Sequence, residues 1–500
     1  MSLEVLPLSF LLFPFVTFIL WELKSWYRLK HIPGPFWNSI TVLPLARLAG
    51  TGRISFELTE KQKKYGPLMR IAPNWVMFGD ADTYRQVNGA RSEFFKGDWY
   101  APGKNAEVDS LFTSRDEVVR KELKAKLTPG YARRDDFEPQ IDRILGSFID
   151  LIERKHISTP TEFRPIELGH AIQYLTLDII SELSLGEPLG FIASESDMYQ
   201  FIEINDTFFP ILSVLLTMPW LDKVLKSWPL HRLLPKEGDL VGFGRMMGLA
   251  RTCVEKHLDP DAEPKNDMMA SHARNGLSKR ELEANFTLEL IAGSDSTATA
   301  IRITLLCLLA TPVSLQKLRE EIDQGIASGR INPSGIIADA EAQQLPYLQA
   351  VIKEGLRMYP PSTGMNNKEV PPGGATIHGY FLPAGTQVAV NTLYMMRDKK
   401  TFGPDADIFR PERWLEAQAV KEGDHRYREM SSVLDLAFGH GRYQCLGKTI
   451  AAMELNKTFV ELLSRYDFSL VTPHAPMRLF DAAFWMIADY HVVVRHRERA

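Results

Sequence analysis

Phe438-Gly439-His440-Gly441-Arg442-Tyr443-Gln444-Cys445-Leu446-Gly447 runs directly into an amphipathic helical pattern, Lys448 to Leu455. Glycines let a loop pass close to a planar ligand without side-chain clash. A cysteine just ahead of a helix start has its thiolate favoured by free backbone N–H groups and the helix dipole, so it can serve as an anionic metal ligand. Arg442 adds a cation for carboxylates nearby. With residue frequencies of this chain, a chance match to F-x-x-G-x-R-x-C-x-G is on the order of 10⁻⁴. The competing reading is a buried structural cysteine.

Working outward, long helical patterns cover residues 138–155, 166–186, 279–310, 345–358 and 446–464, with apolar residues recurring at three and four. Short strand signals lie at Met69–Ile71, Trp75–Phe78, Ala375–Ile377 and Thr386–Val390. The chain therefore reads as mainly α with small β-sheets. The 279–310 helix opens on a capping box, Ser278 with Glu281, and spans about 48 Å. Its centre, Ala292-Gly293-Ser294-Asp295-Ser296-Thr297, is a run of poor helix formers with one acid inside an otherwise apolar helix. Such local conflicts mark functional sites, the alternative being a satisfied polar kink.

These motifs resemble the cytochrome P-450 superfamily, whose cysteine loop holds haem, and the resemblance covers essentially the whole chain. It implies the triangular, mainly helical haem-thiolate domain with haem b on Cys445, framed by Phe438 and Gly439. Glu354-Gly355-Leu356-Arg357 matches the family's E-x-x-R, and Phe409-Arg410-Pro411-Glu412-Arg413-Trp414 its later arginine segment. Glutamate and arginine at i and i+3 share one helix face, and the family pattern adds Arg413 to make a fold-locking triad with Glu354 and Arg357. Asp295 and Ser296 stand where the family carries an acid followed by an alcohol above the haem. Dioxygen reduced there must take up two protons before its O–O bond breaks, and a carboxylate with a neighbouring hydroxyl can pass them. Thr297 offers a second hydroxyl, and Gly293 is expected to leave room for dioxygen.

The chain departs from the family in two places. Serine replaces the usual threonine, losing the methyl group that fixes its rotamer. Ahead of Pro129-Gly130-Tyr131, Arg120 and Lys124 replace a tryptophan or histidine followed by arginine. The resemblance assigns the haem propionates to Arg442, with Arg120, Lys124 and Lys368 as further cations. For Lys368 an exposed loop lysine is the equal alternative. Trp99, Phe112, Phe208, Thr363, Met365 and Phe484 are the expected pocket residues, with Ala483 beside them, an apolar set that disfavours small charged substrates.

Composition agrees with one large globular body: 500 residues, 45% hydrophobic and 24% charged. A net charge of −4 offers no electrostatic reason for nucleic acid as a partner. Three cysteines, Cys253, Cys307 and Cys445, are too scattered for a disulfide framework. The apolar run from Val5 to Trp21, with Glu4 before it and Lys24, Arg28 and Lys30 after it, reads as a single-pass anchor that leaves the body cytosolic. Residues 1–31 are thus expected to be anchor and basic flank, and 32–500 a single haem domain behind the hinge Ile32-Pro33-Gly34-Pro35.

With Lys63-Lys64-Tyr65-Gly66-Pro67 before Arg70-Ile71-Ala72-Pro73-Asn74, the details most resemble fungal microsomal members, particularly pisatin-demethylase-like enzymes and relatives in secondary metabolism. This implies endoplasmic reticulum membrane, a lipophilic substrate, and oxygen insertion by hydroxylation, O-demethylation or a related oxidation. No flavin or nicotinamide fingerprint is present, so electrons are expected from NADPH through a separate reductase, with cytochrome b5 as a further partner. The basic excess from Arg115 to Arg134 is the candidate docking surface. Two other readings stay open: a haem-thiolate isomerase or dehydratase that does not use dioxygen, and a non-catalytic haem- or lipid-binding membrane protein.

Overall fold

The computed structural model describes residues 16–17, 20, 22–104, 108–236, 238–261, 263, 265–332, 334–419 and 424–498. Most of the expected anchor, with its N-terminal half entire, lies outside the described residues. Among those described, no single helix is long and apolar enough to cross a membrane.

The helices that place the site are α1 (Phe36–Ile40), α2 (Leu43–Ala49), α3 (Ile54–Tyr65), α4 (Glu117–Tyr131), α5 (Leu168–Leu185), α6 (Phe201–Thr217), α7 (Gly242–His257), α8 (Lys279–Leu309), α9 (Pro346–Met358) and α10 (Lys448–Arg465). Strands β1 (Leu68–Ala72), β2 (Trp75–Phe78), β3 (Phe95–Lys96), β4 (Lys368–Glu369) and β5 (Gln387–Val390) form one sheet in the order β1-β2-β5-β4-β3. A separate hairpin pairs β6 (Arg478–Asp481) with β7 (Trp485–Ala488). A helical mass beside small sheets is the architecture that the periodicities imply.

The axis of the body is α8. Its start is locked by reciprocal bonds, Ser278 N–H to Glu281 Oε2 at 2.7 Å and Glu281 N–H to Ser278 Oγ at 3.4 Å. Pro312, the first residue of the next helix, follows its end. Thirty-one residues of unbroken helix survive the weak central sequence because packing overrides propensity. The helix lies along α5 and touches α7, α9 and α10.

Gly293 decides how closely α8 and α5 approach. A Cβ built on it would come 2.7 Å from Ile180 Cγ1. Ile180 fills the space a side chain at this position would need, so the glycine sets the helix packing. Side chains too bulky for that interface would push the two helices apart.

Helix α9 begins with Pro346 in its first turn, where the missing N–H costs nothing, and presents a buried face. On that face Glu354, Arg357 and, from a later helix, Arg413 are each at most 1% exposed. Arg357 donates to both carboxylate oxygens of Glu354, from Nε at 2.9 Å and NH2 at 2.8 Å. Arg413 Nε, Trp414 Nε1 and the Arg410 backbone N–H each donate to the same carboxylate at 2.9 Å. The spare guanidinium donors reach backbone carbonyls of Met396, Phe402, Asp405, Ala406 and Ile408. This pairing and saturation make a buried charge cluster tolerable.

Candidate active site

Cys445 sits between a short 3₁₀ turn, Gly441–Tyr443, and the start of α10. Its backbone N–H donates to Phe438 O at 2.7 Å, closing the loop on itself. Closure needs glycine at two points. Gly439 has φ +81 and a Cβ there would lie 2.4 Å from Tyr443 O, while Gly441 has φ +57 and faces Asn88 O at 2.8 Å. The cysteine is solvent-accessible, yet the protein packed around it pushes its thiol up. The N–H groups of Gly447 and Lys448, then the Lys124 and Lys448 charges, pull the other way and favour thiolate.

Beside the loop lies an unusual concentration of buried positive charge. Arg120 donates from Nε to Glu117 Oε2 and from NH1 to Arg442 O, both at 2.9 Å, and Lys124 Nζ reaches the same carbonyl at 2.9 Å. Arg442 donates to Ser92 O at 2.6 Å and Phe94 O at 2.5 Å. Its Nε is buried with no partner. Lys368 is no exposed loop lysine: it is 2% exposed, on β4, and donates to Tyr100 OH and Asn366 O at 3.0 Å.

Opposite Lys368 in the sheet register stands Lys96 of β3, also buried, donating to Leu111 O at 2.9 Å and Phe112 O at 2.7 Å. Burial, then the Arg120 charge, holds Lys96 down to about 7. Burial, then Lys96 itself, holds Lys368 well below the usual lysine range. The Tyr443 ring is the hub, with Lys368 Nζ 4.4 Å, Arg120 5.0 Å, Arg442 5.2 Å and Lys96 5.7 Å from its centroid. Its hydroxyl donates to Glu117 Oε1 at 2.5 Å.

Like charges directly opposite in a sheet are destabilising, and burial with repulsion from neighbouring cations weakens the hold of both lysines on their protons, which Glu117 and, for Lys96, Asp109 only partly offset. The donor set fits a haem: one cysteine sulfur for iron, with two backbone N–H groups and two lysines that favour its thiolate against burial, and beside it a cluster of basic side chains with an orphaned Arg442 Nε for two propionates. Among the described residues no group of three or more His, Cys, Asp or Glu could hold a metal by side chains alone. Arg442 and Lys368 keep donors to spare, whereas Arg120 is largely committed to Glu117. Lys96, Glu117 and Tyr443 were not singled out from the sequence. The nearest signal was a lysine within the aromatic stretch Phe94-Phe95-Lys96-Gly97.

On α8 the accessible face carries Ala292 and Ser296. Ser296 Oγ donates to Ala292 O at 2.6 Å, a back-bond that parks the hydroxyl on this face. Thr297 is buried away from it. Asp295 points to the flank, accepting from Gln173 Nε2 of α5 at 2.5 Å and, at 3.5 Å, from Asn205 Nδ2 of α6. Desolvation there pushes its carboxyl up to about 7, against the pull of Arg302 and Gln173. Gln173 and Asn205 are a second pair that the sequence reading passed over. Each is a lone carboxamide in an apolar helix, which is the signal that could have found it.

Of the expected pocket residues, Trp99, Thr363 and Met365, with Ala483, line a small cavity of about 20 Å³ together with Leu58, Met77 and Leu216. No charged side chain lines it. Phe484 lies just outside, edge-on to Phe209 at 4.6 Å. Phe208 does not face this cavity and stacks on Phe243 at 4.5 Å. Phe112 packs on Tyr100 at 5.2 Å, and its carbonyl holds Lys96.

A mainly helical body in which a glycine loop offers one cysteine at the start of a helix packed on the long helix that carries an acid and an alcohol defines the haem-thiolate class. The chain matches the Cytochrome P450 family over residues 32–488 and belongs to it. It is 40% identical over 463 residues to the cytochrome P450 monooxygenase ABA1 of Pyricularia oryzae, covering 90% of this chain and 89% of that relative. It is 37% identical to the monooxygenase aba1 of Botryotinia fuckeliana, covering 94% and 92%, and 36% identical to the monooxygenase abl1 of Leptosphaeria maculans, covering 92% and 82%. The protein is a cytochrome P450 monooxygenase, and the family implies haem-thiolate iron.

Proposed function

We propose that the enzyme inserts one atom of dioxygen into a lipophilic small molecule, by hydroxylation, O-demethylation or a related oxidation, in fungal secondary metabolism. The observation that carries this reading is the likeness to fungal cytochrome P450 monooxygenases over nine-tenths of the chain, and the expected pocket residues Trp99, Thr363, Met365 and Ala483 agree with it by meeting around a water-sized void that no charged side chain lines. A charged substrate would find no counter-ion there to offset its desolvation. Bound haem would supply dioxygen activation, with the thiolate favouring O–O cleavage. Ser296 holds a hydroxyl on the accessible face, and Asp295 is the proton reservoir behind it.

Lipophilic entry fits the outer surface. Phe36, Trp37, Ile40 and Leu43 are exposed on α1 and α2, and Ile211, Trp220, Val224 and Trp228 along and after α6. Helices α2 and α6 pack on each other, which brings the two apolar stretches to one side. These apolar stretches support contact with a membrane, and the proposed reading places the enzyme at the endoplasmic reticulum, taking electrons from NADPH through a separate reductase, with cytochrome b5 as a second partner.

The test is turnover of the holoprotein with NADPH, reductase and ¹⁸O₂ over neutral terpenoids, alkoxyarenes and small acids. One ¹⁸O in a product from a neutral lipophile, or an O-dealkylated product, supports the proposal. Product formed without NADPH would restore the isomerase or dehydratase reading, and preference for small acids would overturn the substrate class.

A further inference from the structure

Asp295 is gripped by two carboxamides from two other helices. Gln173 is 4% exposed and Asn205 2% exposed, so neither amide is there to be solvated. A buried amide without a partner costs about 1–3 kcal/mol, and Asn205 Oδ1 is left without one. That arrangement is explained if orienting the carboxyl is the purpose of both side chains.

The elements around the carboxyl reinforce this reading. From α5 comes Gln173, with His170 one turn before it; from α6 come Asn205 and Asp206; from α8 itself Arg302, whose guanidinium is spent on the carbonyls of Ala298, Gly169 and Ile487. Arg478 of β6 lies on the far side of Asp206. None of these cations makes an ion pair with Asp295, so the two amides are its direct donors. The same stripe of α6 that holds Asn205 carries Phe209, Leu212 and Leu216 at four, seven and eleven residues on, all buried. Leu216 lines the small cavity it shares with Trp99, Thr363 and Met365. One helix thus touches both the acid and the cavity.

We propose that Gln173 and Asn205 are positioning residues for proton delivery, fixing the Asp295 carboxyl on the flank of α8 and tying it to α5 and α6. The inference rests on Asp295 acting as the proton reservoir. Because Gln173 donates to the carboxylate, it favours the ionised form; removing that donor raises the pH at which the acid gives up its proton.

The test needs no substrate. Reduced full-length holoprotein is mixed with dioxygen, and its return to the oxidised spectrum is followed from pH 6 to 8.5 in H₂O and D₂O. Variants are Gln173→Met, which keeps length and packing without donors, Gln173→Ala, Asn205→Leu and Asp295→Asn. The carbon monoxide spectrum of each reports an intact thiolate–haem site. We expect an inflection near neutrality in the parent, lost in Asp295→Asn, raised by about one pH unit in Gln173→Met, equivalent to tenfold in proton affinity, and raised less in Asn205→Leu. An inflection lost in Asp295→Asn but unmoved in both amide variants overturns the positioning role alone. A profile unchanged in Asp295→Asn overturns the reservoir reading itself. If Gln173→Ala does not load haem, Gln173→Met decides.

Discussion

Glu354 accepts five hydrogen bonds from four residues, so its carboxylate is the point through which α9 and the Arg413 segment are joined. Glu354→Ala would strand two buried guanidinium groups, and breaking a buried pair costs about 3–5 kcal/mol. We expect that variant to be recovered largely without haem and to unfold at markedly lower denaturant. Cys445→Ser keeps the loop bond to Phe438 O but loses the soft ligand. Its dithionite-reduced carbon monoxide difference spectrum should lack the Soret band of thiolate-ligated haem that the parent shows. Asp295→Asn should slow product formation by about 10²-fold, the usual scale for one proton-transfer group, and divert electrons to hydrogen peroxide. Since burial pushes the Asp295 carboxyl up to about 7, the parent's product yield per NADPH should change across neutral pH and the variant's should not. These residues were legible because each carries its chemistry in a short motif. Lys96, Gln173 and Asn205 were not, because their partners lie on other strands and helices.

At the scale of elements, α8 and the β3–β4 pair each hold a compromise. Gly293→Ala improves helix propensity by about 1 kcal/mol yet overpacks Ile180, a clash that typically costs about 1–3 kcal/mol. The variant should melt lower than the parent, and Ile180→Ala combined with it should restore part of the loss in a double-mutant cycle. Lys96→Met relieves the like-charge pair with Lys368. The haem-free protein should then be at least as stable as the parent. Thermal unfolding of the haem-free variant beside the parent checks this. The helix ranges and the capping box could be read from periodicity. The meaning of Gly293 could not, since only the neighbouring helix shows which atom fills its missing side chain.

For the whole molecule, surface charge and apolar exposure separate two contacts. The basic segment of α4 divides by face: Arg120 and Lys124 turn inward to the Arg442 carbonyl, while Lys121 is fully outward and Lys126 partly so. Charge reversal at Lys121 and Lys126 should therefore weaken reductase-supported turnover at low salt, with the difference shrinking as ionic strength rises. Haem content should stay unchanged. On the other side, replacing Trp37, Trp220 and Trp228 by serine should reduce vesicle binding in a manner insensitive to salt.

From the sequence alone came the helical class, the cysteine loop, the E-x-x-R helix and its later arginine, and the acid–alcohol pair. All of these depend on residues near one another in the chain, where periodicity and spacing speak directly. Tertiary structure decided the rest: that Lys368 is buried against Lys96, that Gly293 yields its space to Ile180, that Phe208 turns to Phe243, and that two amides hold Asp295. Each of those facts is a contact between distant segments, and a side chain's surroundings are set by packing that no local pattern encodes.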